Sequence, residues 1–383
     1  MTSGAITRVV EGAPLAVKLT QIDWGFCLVL IAIAAVGTGM LYSIGGGWSP
    51  WAWKHLALFG LCFLLMIALA MADVRVWFAA AYPTYALGLL LLLAVAVAGH
   101  STMGARRWLD IAHVRLQPSE IVKIGLVLAL ARFYHTLPPA KARLSGWLLV
   151  PVALIGAPAA LVAHQPDLGT ALLIIATGGV MMILAGLSLR LVAVGAVGLF
   201  AVLPAVFMFA LKAYQRARLL TFLDPEADRS GAGYHIIQSK IALGSGGLLG
   251  KGFGLGTQSQ LNFLPEKSTD FIFASLAEEF GFVGCASVLV LYAAVIFMAL
   301  RMASAAHSHF GRLAAAGITV TFALCVLING AMVMGLAPVV GVPMPLLSFG
   351  GTVMITMMIG FALVLCVRVH RYSEVGGGRG SLV

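Results

Sequence analysis

Apolar runs long enough to cross a bilayer recur along this chain from residue 24 to residue 370. A hydrocarbon core of about 30 Å takes about 20 mostly apolar residues in a helix, and a backbone inside it must satisfy its own N–H and C=O groups. The runs centre on 24–44, 52–72, 76–99, 117–134, 146–163, 168–187, 190–211, 271–300, 313–336 and 348–369. They leave no stretch for a soluble domain. Composition agrees: 61% of the residues are hydrophobic and 10% charged, where soluble chains carry about 25% charged residues. The expected fold is an all-α polytopic membrane protein of about ten transmembrane helices.

Charge sets the orientation. Arg8, Lys18, Arg75, Arg132, Lys141, Arg143, Arg190, Arg301, Arg312, Arg368, Arg371 and Arg379 all fall on one side if the N-terminus is cytoplasmic, and most short loops of the other side have no Lys or Arg. The positive-inside rule then predicts both termini in the cytoplasm, with residues 1–23 and 371–383 as tails around a domain of 24–370. Residues 1–23 mix polar residues ahead of a long apolar run without a small-residue cleavage site, so they do not read as a cleavable signal. The five cysteines lie inside apolar runs without C-x-x-C spacing, which suits membrane-core packing. A net charge of +10 sits at span ends and in one loop. That pattern suits anionic lipid headgroups and not nucleic acid.

Two outer segments break the charge rule. Residues 104–117 hold Arg106, Arg107, Asp110 and Arg115, and the large loop 212–269 holds Arg216, Arg218, Arg229, Lys240, Lys251 and Lys267. Either an anionic ligand binds there or the side chains anchor to outer headgroups. Within the loop, Tyr234 to Leu243 has the spacing of an amphipathic helix lying on the membrane surface. Gly244 to Gly256 then supplies seven glycines for tight turns and close backbone approach. It is no Walker A loop, because Ser245 stands where the first glycine belongs and Gly252 where a magnesium-binding Ser or Thr belongs.

Ionisable residues inside spans cost at least ~2.5 kcal/mol each on insertion scales, so each asks for a partner and a purpose. Glu120 and Lys123 share one face of the fourth span and can pair with each other. Asp270 opens the eighth span, as a cap or as a working carboxylate, and Glu278 lies eight residues on, along roughly the same stripe. Glu279 points about 100° away. Both spans enter from the outside, so Lys123 and Asp270 are expected at similar depth and able to pair. Asp167, in the turn after Pro166, suits a helix cap. No H-E-x-x-H or similar spacing proposes zinc.

The blocks Gly104-Ala-Arg-Arg-Trp, Gln117-Pro-Ser-Glu, Gln165-Pro-Asp-Leu-Gly-Thr, Phe222-Leu-Asp-Pro, Gly231-Ala-Gly-Tyr-His-Ile-Ile-Gln-Ser-Lys, Phe263-Leu-Pro-Glu-Lys-Ser-Thr-Asp-Phe-Ile-Phe and Ser348-Phe-Gly-Gly-Thr resemble, in order, the signature blocks of the SEDS proteins. Gly256-Thr-Gln-Ser-Gln-Leu-Asn-Phe-Leu-Pro-Glu resembles the elongation branch more than the division branch. Lys267-Ser268 departs from a family pattern that often has His there, and Asp270 stays in place.

The resemblance implies a ten-helix peptidoglycan glycosyltransferase that polymerises lipid II at the outer face of the bacterial inner membrane. It further implies a class B penicillin-binding protein and other elongation-complex proteins as partners. Transfer from an α-linked pyrophosphate donor to a β(1→4) product inverts the sugar and needs one base opposite the leaving group. Asp270 takes that role by resemblance, with Lys123 orienting it and Glu120 and Glu278 completing the network. Arg106, Arg107, Arg216 and Arg218 are candidates for the pyrophosphates, Asp167 joins the substrate side, and Trp108 covers a sugar or anchors at the interface. A divalent cation, Mg2+ or Mn2+, bridging pyrophosphate and a carboxylate is compatible, although no ligand cluster requires it. A lipid II flippase is the alternative, and it expects charges along a path to both leaflets. A pure scaffold would make Asp270 replaceable.

Overall fold

A computed structural model describes the chain except residues 1–13, 99, 103–104, 112–113, 138–144, 206–212, 229–230, 265 and 374–383. Arg8, Lys141, Arg143, Arg229 and Arg379 therefore lie outside the described residues. The helices are α1 (Leu15–Thr20), α2 (Trp24–Gly45), α3 (Ala52–Ala70), α4 (Val74–Ala98), α5 (Pro118–Thr136), α6 (Leu149–His164), α7 (Leu168–Leu184), α8 (Leu189–Ala205), α9 (Ala213–Leu223), α10 (Ala232–Ser245), α11 (Thr257–Gln260), α12 (Ile272–Ser304), α13 (His309–Val333) and α14 (Gly351–Val369). Each apolar run of the sequence falls on one of them. Among the described residues, seven helices are long and apolar enough to cross a membrane, and α7 is a shorter apolar helix. The protein is a multi-pass membrane protein. Helix α5 is long enough but carries Glu120, Lys123 and Arg132, and those charges are what its central position accommodates.

Local signals start and stop these helices. The Asp23 carboxylate accepts from Phe26 N at 3.1 Å at the head of α2, and Ser308 Oγ accepts from Gly311 N at 2.9 Å at the head of α13. Pro118 stands in the first turn of α5, where its missing N–H is no loss. Helices α5, α13 and α14 bury most of their length, while α2, α3, α4 and α12 turn Leu28, Leu64, Leu90 and Phe297 outward, as lipid-facing helices do.

The bundle has a basic end, fastened by backbone carbonyls. Lys18 Nζ donates to Met71 O at 3.3 Å, Arg132 Nη1 donates to Phe78 O at 2.9 Å, and His307 N donates to Arg371 O at 3.0 Å. The Arg132 guanidinium also lies 4.6 Å from the ring centres of Phe78 and Tyr82.

Two features build the opposite end. The segment between α4 and α5 is a three-stranded antiparallel meander, β1 (His100–Thr102), β2 (Ala105–Ile111) and β3 (Val114–Leu116), with Leu109 opposite Leu116. Helix α10 packs one face on the bundle and leaves Ile241 exposed on another. It buries Ile236 and Ala242, and Ser239 Oγ donates to Val333 O at 2.8 Å. An amphipathic stripe fits either surface, and the hydroxyl in the stripe found a carbonyl on the protein side.

Helix α12 is interrupted at Gly281, whose backbone is left-handed at φ 64°. The glycine-rich loop repairs the break. Lys251 N and Gly252 N donate to the carbonyls of Glu278 and Glu279, while Phe282 N and Val283 N donate to the carbonyls of Gly247 and Leu248. A Cβ on Gly250 would strike the Glu279 carbonyl, so glycine is required for this approach.

Candidate active site

Asp270 sits where the long loop turns into α12, partly exposed, and its backbone is clamped from two sides. Ser348 Oγ donates to Thr269 O at 2.6 Å and Phe349 N donates to Ser268 O at 2.8 Å. From the other side, Asn329 Nδ2 donates to Asp270 O at 2.9 Å and to Val342 O at 2.8 Å. Within the turn, Phe271 N donates to Glu266 O and Thr269 Oγ1 donates to Glu266 Oε2 at 2.9 Å. Sequence reading missed Asn329 as a clamp. The signal was available: a lone amide in the apolar run Leu327-Ile328-Asn329, where a polar side chain without a partner is expensive.

Behind this turn lies the buried ion pair. Lys123 Nζ is 2.8 Å from Glu120 Oε1, both nearly fully buried, and Thr356 Oγ1 donates to Glu120 Oε2 at 3.1 Å. A cavity of about 10 Å³, room for about one water, is lined by Glu120, Lys123, Thr321 and Thr356 among others. Lys123 is held by the carboxylate one turn back on its own helix. The Cys325 thiol and the Asp167 carboxylate lie near the same ammonium. Lys123 and the Asp270 turn share a neighbourhood, because Cys325 and Asn329 stand one turn apart on α13.

Asp167 is buried and caps α7, accepting from Thr170 N at 3.2 Å and from Thr170 Oγ1 at 2.9 Å. Gln165 Nε2 ties the same turn to Leu92 O at 2.7 Å. Asp167 therefore joins the rear of the Lys123 site while serving as a cap.

Glu278 belongs to another network. Its Oε1 accepts from Lys251 Nζ at 2.7 Å, from Thr257 Oγ1 at 2.9 Å and from Gln258 N at 3.1 Å. Glu279 accepts from Ser43 Oγ at 2.6 Å and from Gly254 N at 3.1 Å. Both carboxylates hold the glycine-rich loop onto α12 and α2. Lys267 is also engaged internally, donating to Ser259 O at 2.6 Å and to Asn262 Oδ1 at 2.8 Å, and burial pushes its ammonium below the usual lysine value. Two of the outer lysines that suggested an anionic ligand are thus spent on the fold. Arg106, Arg107 and the half-buried Trp108 stand on β2, and the half-buried Arg216 stands with Arg218 on α9.

Buried charge is concentrated toward one end: Glu120, Lys123, Asp167, Glu278 and Glu279 all stand at or near the N-terminal ends of their helices, away from the end fastened by Lys18, Arg132 and Arg371. Among the described residues no three His, Cys, Asp or Glu side chains converge as a metal cage would.

Against this geometry, a profile for the FtsW, RodA and SpoVE family, described as cell cycle protein, matches residues 16–373. The chain is 43% identical over 352 residues to peptidoglycan glycosyltransferase MrdB of Escherichia coli K12, covering 92% of this chain and 94% of that one. It is 33% identical over 359 residues to the probable peptidoglycan glycosyltransferase FtsW of Trichlorobacter lovleyi, covering 91% and 93%. Among solved structures it is similar to rod shape determining protein RodA of Thermus thermophilus, with a TM-score of 0.70 at 30% identity over 92% of this chain and 98% of that one. It is also similar to a chain of a peptidoglycan synthase complex that coordinates polymerization and crosslinking, with a TM-score of 0.79 at 32% identity over 92% and 99%.

Proposed function

This chain belongs to the SEDS family, that of FtsW, RodA and SpoVE, and we propose that it polymerises lipid II at the outer face of the bacterial inner membrane. It is a peptidoglycan glycosyltransferase of the elongation type. The observation that carries the reading of its site is the clamp on Asp270: three hydrogen bonds from the 348–349 turn and Asn329 fix the residues 268–270 at the outer head of α12. A base that must meet one hydroxyl gains most from such fixing, because misplacement by about 1 Å can cost 100-fold in rate.

In the proposed reaction Asp270 takes the proton of the acceptor sugar's 4-hydroxyl as its oxygen attacks C1 of the donor. The C1–O bond to undecaprenyl pyrophosphate breaks and the configuration inverts from α to β. A pyrophosphate leaves without protonation if cations receive its charge. Arg106, Arg107, Arg216 and Arg218, on the two outer elements β2 and α9, are the residues assigned to that task, with Trp108 beside the sugars. Glu120 and Lys123 act from behind, as a neutralised pair that keeps the outer ends of α5, α13 and α14 polar without exposing a net charge to Asp270. Glu278 acts through the glycine-rich loop. Should a divalent cation take part, Asp270 would be its protein ligand, and the donor set around it forms no cage.

A class B penicillin-binding protein, which supplies the crosslinking activity, is the proposed partner, in keeping with the synthase complex to which one relative belongs. A transporter would need buried charge reaching toward the basic end, and Glu120, Lys123, Asp167, Glu278 and Glu279 keep to the other.

The test is to purify the full chain with that partner, supply labelled lipid II with transpeptidation blocked, and separate the glycan products by length. The native chain makes long strands and Asp270→Asn makes none while eluting as a folded protein. Equal polymerisation by Asp270→Asn would remove the base from this reading.

A further inference from the structure

At the basic end, a cavity of about 100 Å³ opens at the seam of α2, α12 and α14, lined by Asp23, Met298, Arg301, Met302, Ala305 and Arg368. It lies at the far end of the bundle from Asp270 and plays no part in the reaction above. Arg301 and Arg368 come from the last turns of two different helices and converge on it. Among the described residues neither guanidinium has a salt bridge or hydrogen-bond partner, whereas Arg132 at the same end donates to Phe78 O. The single carboxylate in the lining, Asp23, already accepts from Phe26 N as the cap of α2.

The surroundings of the cavity are amphipathic in a definite order. Phe297 and Leu300, next to Met298 and Arg301 on α12, are 63% and 43% exposed, and Leu28 on α2 is 65% exposed. Trp24, adjacent to Asp23, is 49% exposed with its indole N–H donating to Leu19 O, the placement of an interfacial tryptophan. Two guanidiniums on one cavity, with the exposed Phe297 one helical turn below Arg301, match a molecule with a phosphate group above hydrocarbon chains. Arg presents its donors in a fork that fits phosphate oxygens, and the cavity has room for them.

We propose that Arg301 and Arg368 form a discrete binding site for the phosphate of an anionic phospholipid in the leaflet at the basic end, with the acyl chains lying on Leu28, Phe297 and Leu300. The same guanidiniums would accept free inorganic phosphate, and the apolar wall is what favours the lipid. Asp23 opposes the ligand's charge and so limits its affinity.

The full chain, delipidated in detergent, is titrated with mixed micelles of phosphatidylglycerol or of phosphatidylcholine, and bound lipid is counted by native mass spectrometry. With about 1 kcal/mol for each arginine near anionic headgroups, phosphatidylglycerol binds about 30-fold more tightly than phosphatidylcholine, and Arg301→Gln with Arg368→Gln abolishes the preference. Arg312→Gln, exposed at the same end outside the cavity, leaves it intact. Asp23→Asn, which keeps a capping side chain, raises the affinity several-fold, whereas a structural partner of the arginines would on removal leave it unchanged or lower. An equal loss in Arg312→Gln, no preference in the native chain, or no gain in Asp23→Asn would each overturn the site. Saturable binding of inorganic phosphate that phosphatidylglycerol fails to displace would assign the cavity to a free anion and overturn the lipid reading.

Discussion

Ser348 gives its hydroxyl proton to the carbonyl of Thr269 at 2.6 Å, across 79 positions of sequence, and the same oxygen accepts from Met344 N at 2.9 Å. One side chain thus joins the turn before α14 to the residue preceding Asp270. Removing it orphans a donor and an acceptor together.

Ser348→Ala is therefore expected to cost about 2 kcal/mol of stability, the scale for buried groups left unpaired. Its larger effect is on rate: kcat falls by 10-fold or more, within about the 100-fold of a 1 Å displacement, with KM nearly constant. Steady-state polymerisation at several lipid II concentrations separates the two constants. A change confined to KM would place the residue in substrate binding instead.

The Glu120–Lys123 pair predicts non-additivity. Lys123→Met leaves a carboxylate buried without its cation and should cost about 3–5 kcal/mol, whereas Glu120→Gln combined with Lys123→Met should recover most of that loss. Thermal aggregation midpoints of the single and double variants in the same detergent decide the matter. If the double variant is no more stable than Lys123→Met, the pair is not the unit described here.

Glu278 is expected to report through the loop. Glu278→Ala removes the acceptor for Lys251, Thr257 and Gln258, so amide hydrogen exchange should accelerate across residues 247–260 while α13 and α14 stay protected. Polymerisation should fall less than in Asp270→Asn. Total loss with an unchanged exchange pattern would move Glu278 into the chemistry.

Lys267 supplies a pH dependence whose sign is fixed. Burial holds its folded pKa below the unfolded lysine value of about 10.4, so between the two the unfolded chain binds more protons and stability rises with pH. Below the depressed value both states are protonated and the contribution is flat. Thermal midpoints followed from pH 8 to about 10.4 should carry this upward contribution in the native chain and lose it in Lys267→Met.

The membrane helices were legible because lipid forces the same local pattern on every span, and α5 was found despite its charges because Gln117-Pro-Ser-Glu marks a helix start. The meander from His100 to Leu116 was not. Its strands are of three and seven residues, and Ala105-Arg-Arg-Trp-Leu-Asp-Ile puts two charges side by side where a strand signal alternates. Asp270 could be placed at a helix head from sequence, and the lone amide of Asn329 in an apolar run asked for a partner, but which turn Asn329 and Ser348 reach was set by tertiary contacts. Glu278 shows the same limit. Its position on a stripe with Asp270 was readable, and its preference for Lys251 depended on a loop folding back over Gly281.

That fold-back also bears on how the chain is made. The glycine-rich loop precedes α12, so ribosomal synthesis delivers Gly247 to Gly252 before Gly281 exists. The groups that complete the broken helix are already available when its two halves emerge, and the bend can form without first passing through a straight rod. The loop's length is in consequence set by the helix it mends. An inserted residue between Leu248 and Lys251, harmless in most exterior loops, would here put the pairings with Phe282 and Val283 out of step with those to Glu278 and Glu279 and loosen the bend.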